Sequence, residues 1–137
     1  MMLRWEKSVN SIFIVMEFFI TQNSNLPILK MEFNFDGKSS IEDFNSVLEN
    51  SSIFFSMRDV ENGNLKISNK IGGFTNKIFT EPNAKTEYYL YYKFSLYDTN
   101  KIGRFQGEFT LISEDGVLTL PIKEKLYINV VENLIRV

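Results

Sequence analysis

The sequence predicts an all-β protein, an antiparallel sandwich with one short helix. Three observations predict it. Apolar and polar residues alternate with a period of two along most of the chain. Turn-forming pairs such as Asn62-Gly63 and Asp115-Gly116 recur about every ten residues. At 137 residues with 44% hydrophobic and 23% charged side chains, the chain is one globular domain large enough to bury a core without staples.

The first segment, Met1 to Ile20, superficially resembles an export signal, because Arg4 and Lys7 precede an apolar run over Ile12–Ile20. That run contains Glu17 and lacks a small-residue cleavage site, and a membrane span needs about 20 apolar residues. Its β-branched and aromatic content predicts one long first strand. Over Pro27–Asp36, Leu29, Met31, Phe33 and Phe35 alternate with Lys30, Glu32, Asn34 and Asp36, the pattern of a strand with one dry and one wet face. Asp36-Gly37 turns the chain. Ser39 as N-cap and Glu42 three residues on form a capping box, and Ile41, Phe44 and Leu48 follow at helical spacing, so Ser40–Glu49 is predicted to be helical.

Strands resume at Ser52–Arg58 and, beyond the Asn62-Gly63 turn, at Leu65–Ser68. Gly72-Gly73 predicts a turn or bulge before a weak strand at Asn76–Thr80. Thr86–Tyr97 has the clearest strand pattern, with Tyr88, Leu90, Tyr92, Phe94 and Leu96 on one face and Tyr89, Tyr91, Lys93, Ser95 and Tyr97 on the other. Arg104–Ser113, Val117–Ile122 and Lys125–Val131 complete the set. Eight or nine short strands at this spacing indicate an immunoglobulin-like sandwich; a closed barrel has the same periodicity and stays open as the alternative. The expected core contains Leu29, Met31, Phe33, Phe55, Leu90, Phe94, Phe105, Phe109, Leu111 and Ile128. The expected organisation is an N-terminal extension, residues 1–16, followed by a single domain, residues 17–137.

Composition narrows the chemistry. The chain has no Cys and no His, which excludes disulfides, thiolate nucleophiles, Cys/His zinc sites and imidazole bases. Fifteen basic against 17 acidic residues give no electrostatic footprint for nucleic acid. Asp98-Thr99-Asn100-Lys101-Ile102-Gly103 begins like a calcium loop, but Ile102 and Phe109 occupy two ligand positions, so it is expected to be a turn. Glu42, Asp43, Asp59, Glu61, Glu108, Glu114 and Asp115 offer carboxylates, most of them in turns or on wet faces, and no pair is singled out for acid–base work. Gly72-Gly73 lacks the Lys-Ser/Thr and the following helix of a phosphate loop. No catalytic, metal-binding or cofactor-binding residue is predicted. Tyrosine supplies large contact area at low entropic cost. Tyr89, Tyr91 and Tyr97, with Trp5, Phe13 and Val15 of the apolar extension, are therefore the expected interface residues. Stacking of the tyrosine face on a sugar, and burial of both faces in a central strand, are its competing uses.

A family resemblance adds to this reading. It rests on the stretch Gln22-Asn23-Ser24-Asn25-Leu26-Pro27-Ile28-Leu29 and on Phe55-Ser56-Met57-Arg58-Asp59 with the Gly63 turn. It continues through Tyr88–Phe94, then Asp98-Thr99, Gly103 and Arg104-Phe105-Gln106-Gly107-Glu108-Phe109, to Leu118-Thr119-Leu120-Pro121-Ile122 and Leu126–Val130. In this order the pieces resemble the immunoglobulin-like module at the N-terminus of baseplate upper proteins of tailed bacteriophages, and its relatives in other phage virion proteins. The resemblance covers roughly Glu17 to Val131; the extension Met1 to Met16 departs from it. It implies a structural protein without catalysis or cofactor, assembled in the host cytoplasm into a virion as tail, baseplate, capsid decoration or head-fibre base. Its partners would be other virion proteins in a symmetric, multi-copy assembly, with no nucleic acid, membrane or small-molecule ligand. A carbohydrate- or receptor-binding sandwich is the alternative function. Trp5–Val15, apolar and without an evident place in the core pattern, is expected to pack against a neighbouring subunit or add a strand to it; the alternative is that it lengthens the first strand and covers its own sheet.

Overall fold

The computed structural model describes residues 5–7, 14–33, 48–77 and 87–134. They form an all-β structure of ten strands: β1 (Trp5–Lys7), β2 (Ile14–Thr21), β3 (Leu29–Phe33), β4 (Ser52–Asp59), β5 (Leu65–Ile71), β6 (Gly73–Lys77), β7 (Glu87–Tyr92), β8 (Gly103–Ser113), β9 (Gly116–Leu120) and β10 (Lys125–Val131). The predicted helix lies outside the described residues except for its end, where Leu48 and Glu49 are helical and Leu48 is fully buried in the core.

Two sheets share one core. The larger is ordered β1-β2-β10-β8-β4-β5, with β9 also pairing β8; the smaller is β3-β7-β6. Pairing among the described strands is antiparallel except for β2 and β10, which run parallel from Val15↔Lys125 to Thr21↔Val131. The expectation of a purely antiparallel arrangement is corrected there. Alternation decides which side chains face the core: Ile53, Phe55 and Met57 of β4 and Phe105, Phe109 and Leu111 of β8 meet Leu29 and Met31 of β3 and Leu90 and Tyr92 of β7. The sheets are joined by rings. Phe55 of the large sheet stacks on Tyr92 of the small one at 4.7 Å between centroids, and Phe94, just beyond β7, stands edge-on to both. Nine of the ten expected core residues are buried; the side chain of Phe33 lies outside the description.

Several expectations need correction. The first segment is a hairpin rather than one long strand, for β1 folds back on β2 with Trp5 opposite Met16. The boundary drawn after residue 16 falls inside β2, whose Met16 is buried in the core beside Phe18 and Ile20. Val15 and Met16 therefore belong to the large sheet, where they pair with β10. The tyrosine-rich strand stops at Tyr92 instead of Tyr97, because Asp98 draws the chain into a turn. At Gly72-Gly73 the chain crosses from one sheet to the other, and the strand that follows begins at Gly73, ahead of the expected Asn76. Glycine is required here by close approach. A Cβ on Gly72 would lie 2.7 Å from the Tyr91 carbonyl oxygen, and one on Gly73 would lie 2.5 Å from the Tyr91 ring.

Candidate functional site: the loop end

The strand directions bring four connections to one end of the molecule. β2 and β10 finish together at Thr21 and Val131. β8 starts beside them, with Gly103 opposite Val130, and β4 finishes and β5 starts at the same level. In the small sheet β3 starts where β7 finishes, Leu29 opposite Tyr92. Residues 22–28, 60–64, 93–102 and 132–134 therefore converge.

Hydrogen bonds fasten these loops to one another. Asn23 N–H donates to the Thr99 carbonyl at 2.9 Å. Thr99 Oγ1 accepts from Ser24 N–H at 3.0 Å and donates to the Ser24 carbonyl at 2.7 Å. Gln22 Nε2 donates to the Asn100 carbonyl, and Asn133 Nδ2 donates to the Gln22 carbonyl. Asp98 has no exposed surface. Its carboxylate accepts from Tyr92 O–H at 2.6 Å, Ser95 N–H at 2.9 Å and Lys70 Nζ at 3.0 Å, tying β5, β7 and the 93–102 loop to one group. Asp59 works similarly across the end: it accepts from Glu61 N–H at 2.8 Å and from Lys101 Nζ at 3.1 Å. Gly63 at φ +76° closes the tight turn between β4 and β5.

These partners set the acidities. Burial alone would raise the pKa of Asp98, but the bonds from Tyr92, Ser95 and Lys70 together outweigh it and hold the carboxyl below its ordinary value of 3.8. Asp59 is lowered chiefly by the Glu61 N–H and then by Lys101. Tyr92 is pushed well up, by burial first and the Asp98 carboxylate second. A carboxyl with a depressed folded pKa stabilises fully above its unfolded pKa and loses that stabilisation as pH falls through the folded value. The urea midpoint should therefore respond little to Asp59 and Asp98 between neutral pH and about pH 5, then drop below about pH 4. In Asp98→Asn the acid drop should shrink. An equal drop in the variant would show that Asp98 does not contribute to it.

On these fastened loops the exposed side chains are unusually apolar. Leu26 is 61% and Tyr97 66% exposed, and Val60, Leu65, Leu96, Ile102 and Leu134 are exposed as well. Every loop at this end presents at least one large apolar side chain. Lys66 Nζ sits 4.2 Å from the centre of the Tyr97 ring and 2.6 Å from Asn100 Oδ1, which steadies that aromatic in place. Exposed apolar groups on pre-ordered loops have little conformational freedom left to lose on contact, the condition for tight protein docking.

The expected interface residues do not come together. Tyr97 is at the loop end. Tyr91 (37% exposed) and Tyr89 (8%) lie on β7, facing away from the core, and Tyr89 is buried outside the core cluster. Val15 is half-buried on β2, Trp5 is in β1 opposite Met16, and Phe13 lies outside the described residues. Leu26, Val60, Leu96 and Ile102 escaped the sequence reading, although each interrupts a polar, turn-forming run. Among the described residues no group of three or more acids is placed to hold a metal ion, and no helix is long and apolar enough to cross a membrane.

No protein-family model, curated protein or solved structure matches the chain.

Proposed function

We propose that the chain is an immunoglobulin-like β-sandwich serving as a non-enzymatic structural subunit of a tailed-phage virion, and that it docks on a neighbouring virion protein through its loop end. The observation that carries the docking role is the set of exposed apolar side chains on four mutually fastened loops, with Tyr97 and Leu96 at its most aromatic part. The sandwich reading is supported by two sheets with a common core and by the chain's crossings between them. The parallel β2–β10 pair closing an otherwise antiparallel arrangement adds to it. The phage context rests on the sequence resemblance. The two most buried acids among the described residues, Asp59 and Asp98, are fully engaged as fastenings of loops and are poorly placed to act as acid–base catalysts.

The test is particle assembly with the double variant Leu96→Lys, Tyr97→Lys. Both positions are exposed, so the isolated protein should keep its stability to within about 0.5 kcal/mol per site. Incorporation into particles should be lost. Normal incorporation of the folded double variant would refute docking by the loop end. Binding of the isolated protein to a glycan array, abolished by Tyr97→Ala, would favour the carbohydrate-binding alternative instead.

A further inference from the structure

The turn between β4 and β5 holds a reactive pair that neither the core nor the docking surface accounts for. Asn62-Gly63 is the one Asn-Gly step in the chain; every other asparagine precedes a residue that bears a side chain. The difference is chemical. An asparagine's amide carbon lies within reach of the next residue's backbone nitrogen, and only glycine leaves the approach to that nitrogen free of a Cβ. Residues 60–65 are all exposed, so water reaches the pair. In the folded turn, however, both reacting groups are occupied. Gly63 N–H donates to the Asp59 carbonyl at 2.8 Å, and Asn62 Oδ1 accepts from Asn64 N–H at 2.8 Å. The Asp59 side chain braces the same turn. Its carboxylate accepts from Glu61 N–H at 2.8 Å, from Asn62 N–H at 3.4 Å and from Lys101 Nζ at 3.1 Å. Nucleophile and electrophile are freed for one another only when the turn opens.

We propose that Asn62 is a site of self-modification, its amide lost to attack by the Gly63 nitrogen at a rate limited by opening of the Asp59-braced turn, with the product loosening the loop end. Gly63 N loses its proton to solvent and bonds to Asn62 Cγ. The Cγ–Nδ2 bond breaks, and Nδ2 takes up a proton and leaves as ammonia. Water then opens the cyclic imide at either of its carbonyls, giving aspartate or isoaspartate. In sum an amide and water become an acid and ammonia, with nothing oxidised or reduced. Neither product suits the turn as asparagine does. Aspartate sets a second carboxylate against that of Asp59, whose Oδ1 already receives the residue-62 N–H. Isoaspartate adds a carbon to the backbone between residues 62 and 63, which displaces the Gly63 N–H from the Asp59 carbonyl. The turn carrying Val60 and Leu65 then loses the pre-ordering that favours docking. That last step rests on the docking role of the loop end; the modification itself does not.

Mass spectrometry of the full chain, aged in native buffer or in guanidinium chloride, tests it. Trypsin releases the peptide Asp59–Lys66, in which Asn64, followed by Leu65, is the internal comparison. In denaturant Asn62 should convert much faster than Asn64, and folding should slow Asn62 at least about tenfold. Asp59→Asn, which removes a charge-assisted brace, should speed conversion in the folded protein at least about fivefold. Lys101→Ala, which breaks only the exposed side of that brace, should speed it by less. Equal rates for Asn62 and Asn64 in denaturant overturn the site. Equal rates for Asn62 in native buffer and denaturant overturn the gating by the turn, as does conversion no faster than wild type in both variants when melting shows them folded. Converted protein, separated by its charge, should incorporate poorly into particles. Asn62→Gln, whose longer side chain closes the ring far more slowly, should incorporate normally after the same ageing. Normal incorporation of converted protein overturns the consequence for docking; if the Leu96→Lys, Tyr97→Lys variant also incorporates, the docking role itself has failed.

Discussion

Replacement of Asp98 by alanine is expected to lower the unfolding free energy by about 3–5 kcal/mol, the cost of removing one partner of a buried charged network. Asp98 is wholly buried and accepts three hydrogen bonds from three different parts of the chain. Alanine leaves the Tyr92 hydroxyl, itself buried, and the Ser95 N–H without their acceptor, and each orphaned donor costs roughly 1–3 kcal/mol. The Lys70 ammonium contributes less because its side chain is half exposed and recovers water when released. Lys70→Ala should accordingly cost no more than about 1 kcal/mol, and Tyr92→Phe, which leaves Asp98 two donors, about the same. Urea unfolding at neutral pH measures all three as a shift in midpoint at constant slope. A midpoint for Asp98→Ala equal to that of Lys70→Ala would mean that the exposed ion pair, not the buried bonds, holds the turn.

Asp98 also explains where reading the sequence succeeds and where it stops. The period-two pattern locates β4, β8 and β10 to within a residue or two, since each has one dry and one wet face and a one-residue slip would turn every apolar side chain to water. In the tyrosine-rich segment the same pattern continues to Tyr97 although the strand ends at Tyr92. Alternation says which face a side chain would occupy, not whether the backbone still has a pairing strand. Here a long-range partner, Lys70, and a local one, Ser95, give Asp98 a better arrangement as a turn. The β1–β2 hairpin was hidden for a related reason. An apolar first segment suits an extended strand or a docking arm equally well, and only the parallel pairing of β2 with β10 makes it part of the sheet.

The loop end was less legible than the core because its definition is a matter of position. Leu26, Val60, Leu96 and Ile102 are scattered over 77 residues of sequence and share no period. They become one surface only after β2, β4, β8 and β10 are set in register. The tyrosines that composition singles out were divided by the fold instead, Tyr89 and Tyr91 to the small sheet and Tyr97 to the loops.

Phe109→Ala is expected to cost about 3–5 kcal/mol, the range for emptying a buried aromatic site. Phe109 has no exposed surface and sits 5.0 Å from the Phe55 ring, which in turn stacks on Tyr92 of the opposite sheet. Relaxation into the vacated space is restricted from two sides: Phe55 is already in contact with Tyr92 and Phe94, and β8 is held between β4 and β9 at this point by Phe55↔Phe109 and Phe109↔Leu120. The cavity should thus persist, placing the cost in the upper part of the range and lowering the melting temperature by at least about 10 °C. Ile112→Ala, on the same strand but the outer face, is the control, with a loss well under that of Phe109→Ala. A urea midpoint unchanged in Phe109→Ala would mean that β8 presents its other face to the core. That would turn Phe105 and Leu111 to water as well, because the three side chains are fixed by one register and cannot be revised separately.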